Sequence, residues 1–226
     1  MQKKVIAVAV FFAALLVFLT HLGARATATP VFTYASEEKC VYLTFDDGPS
    51  TVVTNRILDT LKKENVKATF FIVSDRAKSR KETLLRIAEE GHTVGIHSAT
   101  HRYSEIYASL QSLLQDVTAC ADFIHSVTGI TPRVYRFPGG GFHRAKETQF
   151  LKEKGYQIVE WNASCRDEEI VNATPQRLFE ETVATALGKN RVVLLMHDSA
   201  PHKATADALP LIISYFREQD FSFCSF

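Results

Sequence analysis

The chain has 226 residues, 46% of them hydrophobic and 23% charged, with a formal net charge of +1. That length suits one sizeable domain, and the ordinary composition excludes a disordered or fibrous protein. The near-neutral balance carries no electrostatic footprint for nucleic acid, so no such partner is expected.

The N-terminus departs from this average. Lys3-Lys4 precede a wholly apolar run over residues 5–19, and Ala24-Arg25-Ala26 offers a small-residue cleavage site. Residues 1–26 therefore read as a signal peptide or a membrane anchor. The run falls short of the ~20 residues that span a bilayer comfortably. Residues 27–39 read as a short tether, and residues 40–226 as the domain it carries. Either reading puts that domain outside the cytoplasm, secreted or held on the outer membrane face, with membrane contact only through the N-terminal segment. Disulfides are permitted there. The four cysteines (Cys40, Cys120, Cys165 and Cys224) lack the spacing of a zinc site and allow three pairings. A Cys40–Cys224 bridge follows if the first and last strands are neighbours; free buried thiols are the alternative.

Strands and helices then alternate. Val41-Tyr42-Leu43-Thr44-Phe45 is a buried strand that ends in Asp46-Asp47-Gly48-Pro49, two adjacent carboxylates and a turn. Apolar positions at helical spacing predict a helix over 51–64, and the unbroken apolar run 68–73 predicts a strand. A helix over 81–90, a strand over 92–96 and a long helix over 104–128 follow. Then come a strand over 133–137, a helix over 145–154 and a strand over 157–161. Thr174-Pro175 caps a helix to residue 187. A strand over 192–196, a helix over 204–219 with Pro210 as a kink or restart, and a strand over 221–226 complete the chain. Strands apolar on both faces, alternating with helices, indicate an α/β fold with a mostly parallel sheet, either a distorted (β/α) barrel or an open doubly wound sheet.

Unusual polar residues collect at the strand ends: Asp46 and Asp47; His97 and His101; Arg136 with Pro138-Gly139; Trp161 and Asp167; Leu195 and His197. In a parallel barrel these ends share one rim, where active sites sit. His97 and His101 are four apart, and one helical turn would bring both rings to one side. Two histidines and one carboxylate, with positions left for water, make a catalytic metal site, and the second Asp is then free to act as a base. The plainer alternatives are a surface turn and two solvated histidines. His92 reads as a core residue, and His125, His143 and His202 as solvated.

Thr44-Phe45-Asp46-Asp47-Gly48-Pro49, His97-Ser98-x-x-His101, Arg136-x-Pro138-Gly139 and Leu195-Met196-His197, in this order, resemble the motifs of the polysaccharide deacetylase family. This family is also called the NodB-homology domain or carbohydrate esterase family four. The resemblance implies a distorted (β/α) barrel over 40–226 that hydrolyses N-acetyl, sometimes O-acetyl, groups on a polymeric carbohydrate. It implies Asp46 as general base and His197 as general acid. It implies Asp47, His97 and His101 as ligands of a divalent metal, Zn²⁺ first, with Co²⁺ or Ni²⁺ as other candidates. It implies Arg136 as the partner orienting the base, Gly139 N–H as an oxyanion donor and Leu195 as a wall of the acetyl pocket. Pro138 and Trp161 complete the expected substrate-facing set. An acetylated polysaccharide, peptidoglycan or another N-acetylglucosamine polymer, is the expected partner.

One motif departs. Ser164 stands where the family often has an Asp that helps hold the Arg, and Glu168 where a Trp would wall the pocket. Altered substrate preference or rate is expected, not loss of activity. The alternatives are a non-catalytic carbohydrate-binding module on the same fold and an O-acetyl esterase acting on xylan-type polymers. A non-haem iron oxygenase and a two-carboxylate glycosidase are further rivals.

Overall fold

A computed structural model describes residues 38–226. The expected signal or anchor segment, and the tether as far as residue 37, lie outside the described residues. No helix among those described is long and apolar enough to cross a membrane.

The first strand, β1 (Cys40–Asp46), is buried at every position after Cys40. Its continuous apolar sequence suits a strand covered on both faces. It pairs in parallel with β2 (Thr69–Val73), β7 (Arg191–His197) and β8 (Ser222–Cys224). The sheet continues through β3 (Thr93–Ser98), β4 (Val134–Tyr135) and β5 (Gln157–Ile158) on one side, and to β6 (Ala163–Ser164) on the other. The order is β5-β4-β3-β2-β1-β7-β6, with β8 off that path, and every pairing is parallel. This curled parallel sheet is the expected distorted barrel, and among the described residues no ladder joins β5 to β6.

Helices cover the strands: α1 (Val53–Glu64), α2 (Ser74–Ala77), α3 (Lys81–Glu89), α4 (Tyr103–Ile106), α5 (Leu110–Thr128), α6 (Ala145–Glu153), α7 (Pro175–Ala186) and α8 (Lys203–Glu218). Ile57, Leu58 and Leu61 of α1 and Leu113, Val117 and Ile124 of α5 join Leu43, Phe45, Phe70, Ile72, Leu194 and Met196 in one core. Each such side chain contributes about 1.5–3 kcal/mol by leaving water.

Three expectations change. The long helix predicted over 104–128 is two helices, α4 and α5. Ser109 breaks it, extended and accepting a hydrogen bond from Ser112 N as the cap of α5. The strand predicted over 157–161 stops after Ile158 because the chain leaves β4 and crosses the open seam to form β6 beside β7. Pro210 lies inside α8 without interrupting it. Other boundaries shift by a residue or two. Cys40 and Cys224 form a disulfide, as neighbouring strands allow, while Cys120 and Cys165 are free and buried.

Candidate active site

Because β1, β3 and β7 run parallel, their C-terminal ends open on the same rim. Asp46 and His197 are direct ladder neighbours there. Asp47 follows Asp46 in the left-handed region, φ 78°, a costly conformation for a residue with a side chain. That bend turns the second carboxylate toward the rim. It is held by Arg76 of α2, whose Nη1 donates to the Asp47 carbonyl at 2.7 Å and lies 3.1 Å from Oδ1.

Asp47 Oδ1 lies 3.1 Å from His101 Nε2 and 3.7 Å from His97 Nε2. The two rings are 5.2 Å apart. They meet by a different route from the expected helical turn. His97 is in β3, and His101 sits in a bend with φ 60°. Asp116 of α5 holds that bend. It accepts hydrogen bonds from Ser98 Oγ, Ala99 N and Thr100 N, and Ser98 Oγ in turn accepts from His101 N. His97 Nδ1 faces the Arg136 carbonyl at 2.9 Å. A proton on Nδ1 satisfies that carbonyl and leaves the Nε2 lone pair directed at Asp47.

The donor set fits a divalent cation. Asp47, His97 and His101 offer ligand atoms that all lie within 4.8 Å of one another. Asp47 Oδ1 is buried and, beyond its ion pair with Arg76, accepts no hydrogen bond, a capacity that a cation would satisfy. Burial works to raise the Asp47 carboxyl, but the charges of His97, His101 and Arg76 outweigh it and hold the group below its usual range. Burial lowers the His101 imidazole against the opposing pull of the Asp47 carboxylate.

Asp46 is 3% exposed. Its Oδ1 accepts from Arg136 Nη1 at 2.8 Å, leaving Oδ2 toward the pocket, 3.9 Å from His97 Nε2. Arg136 is fully buried. Its Nη1 also donates to Thr44 Oγ1 and its Nε to the Val159 carbonyl. Its plane lies over Phe71, 4.3 Å from the ring centroid. Arg136 Nη2 has no partner. The missing acceptor agrees with the departure at Ser164, whose hydroxyl accepts instead from Arg166 N.

On the neighbouring strand, His197 Nδ1 is 2.8 Å from Asp167 Oδ1, and Asp167 Oδ2 accepts from His197 N and Thr205 Oγ1. Burial pushes the imidazole toward neutrality, but the hydrogen bond and charge of Asp167, with Asp46 and Glu168, outweigh it and raise its pKa to about 9. His197 is therefore protonated at neutral pH, with Nε2 facing the cavity. His202 is not solvated as expected. Its ring packs 5.2 Å from that of His197, and its Nδ1 bonds Ser199 Oγ. His92 is the buried residue expected, with Nδ1 accepting from Ala68 N.

The cavity between these groups holds about 180 Å³. Asp46, Asp47, His97, His101 and His197 line it, with Tyr103, Gly139, Trp161, Glu168 and Leu195 among the walls. Arg136 lies beneath it rather than on its surface, and Pro138 does not line it. The Pro138 carbonyl instead accepts from Tyr107 OH at 2.7 Å, which fixes the loop that presents Gly139. Gly139 adopts φ 74°, and a Cβ there would press on Tyr103 at 3.1 Å. Only glycine serves that position.

The sequence reading gave no role to three groups: Asp167 as the partner of His197, Asp116 as the clamp of the histidine bend, and Asp198. Asp198 is fully buried under the Asp-Asp-Gly-Pro turn. It accepts from Thr54 Oγ1 at 2.6 Å, and burial pushes its carboxyl up to about 7. Its position directly after His197 was the one signal available.

A family model for polysaccharide deacetylase matches residues 33–159. The chain belongs to the polysaccharide deacetylase family. It is 35% identical over 193 residues to YheN of Bacillus subtilis, covering 82% of this chain and 66% of that protein. It is 33% identical over 189 residues to the peptidoglycan-N-acetylglucosamine deacetylase PgdA of Listeria monocytogenes, covering 84% of this chain and 38% of that protein. The chain thus spans less than two thirds of either relative. The crystal structure of the catalytic domain of peptidoglycan N-acetylglucosamine deacetylase from Eubacterium rectale superposes with a TM-score of 0.77 at 30% identity. That match covers 84% of this chain and 90% of the other.

Proposed function

We propose that this polysaccharide deacetylase family member is a metal-dependent N-deacetylase of an N-acetylglucosamine polymer, peptidoglycan first, acting outside the cytoplasm. One observation carries the reading. Asp46 and His197, neighbours at the ends of β1 and β7, line a single small cavity together with the Asp47, His97 and His101 cluster. A binding module needs neither a base tied to a buried arginine nor a histidine held protonated by a buried carboxylate. The cavity volume of about 180 Å³ is below the ~300–1,000 Å³ of pockets that engulf drug-sized ligands. It suits a small group hanging from a chain that stays outside. The likeness to the Listeria peptidoglycan-N-acetylglucosamine deacetylase supports the choice of polymer.

Asp47, His97 and His101 would hold the ion. When bound, a divalent metal supplies Lewis-acid polarisation of the acetyl carbonyl and makes water acidic enough to attack at neutral pH. Asp46 Oδ2 takes a proton from the attacking water, while Arg136 keeps the carboxylate aimed. The Gly139 N–H faces the developing oxyanion. His197 Nε2 delivers its proton to the sugar nitrogen, which leaves poorly without one. Leu195 and Trp161 wall the acetyl methyl.

Acetate release from N-acetylated peptidoglycan or N-acetylglucosamine oligomers is the test. Activity should vanish with a chelator and return with Zn²⁺, and the polymer should keep its length. Acetate from acetylated xylan alone would make the protein an O-acetyl esterase. Acetate from neither polymer would leave a binding module.

A further inference from the structure

The cavity has one carboxylate that the proposed mechanism does not use. Glu168 follows Asp167, and its Oε2 lies 3.5 Å from His197 Nε2, with a side chain 52% exposed. The other acids around the pocket are committed: Asp46 to Arg136, Asp47 to Arg76 and the histidines, and Asp167 to His197 and Thr205. Among the described residues Glu168 makes no other ion pair and no side-chain hydrogen bond. Its free acceptor capacity faces the cavity at the nitrogen from which the acid gives its proton.

We propose that Glu168 is the recognition site for the ammonium group of the deacetylated amino sugar, and so a determinant of specificity for amine-bearing chains. The inference rests on the deacetylase reading above. In that reaction the oxygen of water bonds to the acetyl carbon. The carbon–nitrogen bond breaks with its electron pair going to nitrogen, and nitrogen takes the proton from His197 Nε2. Acetate and a free amine are the products. To receive that proton the nitrogen must come within about 3 Å of Nε2, which brings it within reach of the Glu168 carboxylate. One proton from His197 releases a neutral amine, and a second, drawn from those the attacking water gave up, makes it the ammonium; positive charge thus sits on the imidazolium at the start and on the amine at the end. Glu168 faces both positions, so its attraction follows the proton across. A polymer already partly deacetylated would be retained by the same contact.

The test compares a glucosamine tetramer with its fully N-acetylated counterpart, at a pH where the amine is protonated. Calorimetric titration of the amine tetramer should show binding about tenfold weaker in Glu168→Gln than in the wild type, the cost of one half-exposed charge-assisted hydrogen bond. That loss should shrink as salt rises. The KM for the acetylated tetramer should move by no more than about twofold, because an amide nitrogen carries no charge for Glu168 to select. Glu169, equally on the rim but paired with Arg166, serves as the control, and Glu169→Gln should bind like the wild type. Equal affinity of wild type and Glu168→Gln for the amine tetramer overturns the inference, even if the pH profile shifts. That combination makes Glu168 only an ion-pair partner of His197. An equal loss for both tetramers, or from Glu169→Gln, also overturns it. Failure of the wild type to release acetate sinks the deacetylase reading itself, whereas acetate release with unchanged amine affinity sinks only this inference.

Discussion

At the scale of single residues, the proposed division of work between the pair of acids follows their geometry. Asp46 is the last residue of a strand and is gripped by a buried guanidinium. Asp47 is one residue on, bent to φ 78° and turned onto two histidines. Asp47→Ala should abolish metal binding, measured as bound Zn²⁺ after dialysis. Asp46→Asn keeps an acceptor for Arg136, so it should retain the metal and lose turnover by about 10²–10⁴-fold, the usual worth of a general base. The reverse pattern would exchange the two roles. The acid gives a pH signature. His197 has a pKa raised to about 9, and the proposed mechanism needs its protonated form, so the alkaline limb of kcat/KM should fall near that value. Asp167→Asn keeps an acceptor for Nδ1 but removes the charge that helps to raise that pKa. The limb should then move toward lower pH, and a limb that stays in place would assign it to another group. The same shift has a stability counterpart. A histidine raised in the folded state stabilises the fold fully below about pH 6.5, its unfolded value, and the benefit disappears as pH rises through about 9.

At the scale of elements, the site depends on how two loops are clamped. Below the Asp-Asp-Gly-Pro turn, a Cβ on Gly48 would stand 2.1 Å from Asp198 Oδ2. Gly48→Ala should therefore destabilise by about 1–3 kcal/mol from overpacking, read as a fall in Tm. The loss should be smaller in an Asp198→Ala background, and equal losses would mean that the carboxylate is not the obstacle. Beside it, Asp116 ties the histidine bend to α5 through four hydrogen bonds, two of them from Thr100. Asp116→Ala should loosen His101 and cost about 10–100-fold in metal affinity, typical for the support of a ligand. This is also where the sequence becomes hard to read. The order of strands and helices was legible from apolar runs, and the chemistry from residue types at strand ends, because both are local patterns. Asp116 lies 15 residues beyond His101 on another helix, and nothing local marks it. The His-x-x-x-His spacing suggested a helical turn, but φ 60° at His101 and a serine clamp did the same job. The break at Ser109 is a local serine cap hidden under a continuous apolar period, whereas the crossing from β5 to β6 is decided by tertiary packing that overrides local propensity.

At the scale of the whole molecule, the strand that carries both acids is the most heavily tied element. β1 bonds to three neighbours, β2, β7 and β8. The third of these is the C-terminal strand, and the Cys40–Cys224 bridge locks it to the start of β1 across a sequence separation of 184. A crosslink over so long a loop removes conformational freedom mainly from the unfolded chain, worth at most about 5 kcal/mol in the chain-entropy treatment. Cys224→Ser should accordingly lower Tm while leaving kcat almost unchanged, since the bridge sits at the opposite end of β1 from Asp46. Reductant should lower the Tm of the wild type toward that of the variant and leave the variant unmoved. Thiol titration in denaturant should count two groups before reduction and four after, because Cys120 and Cys165 are already free. Four groups without reductant would mean that the bridge is not made. A large fall in kcat for Cys224→Ser at a temperature where the variant remains folded would mean that β8 positions the rim as well as closing the sheet.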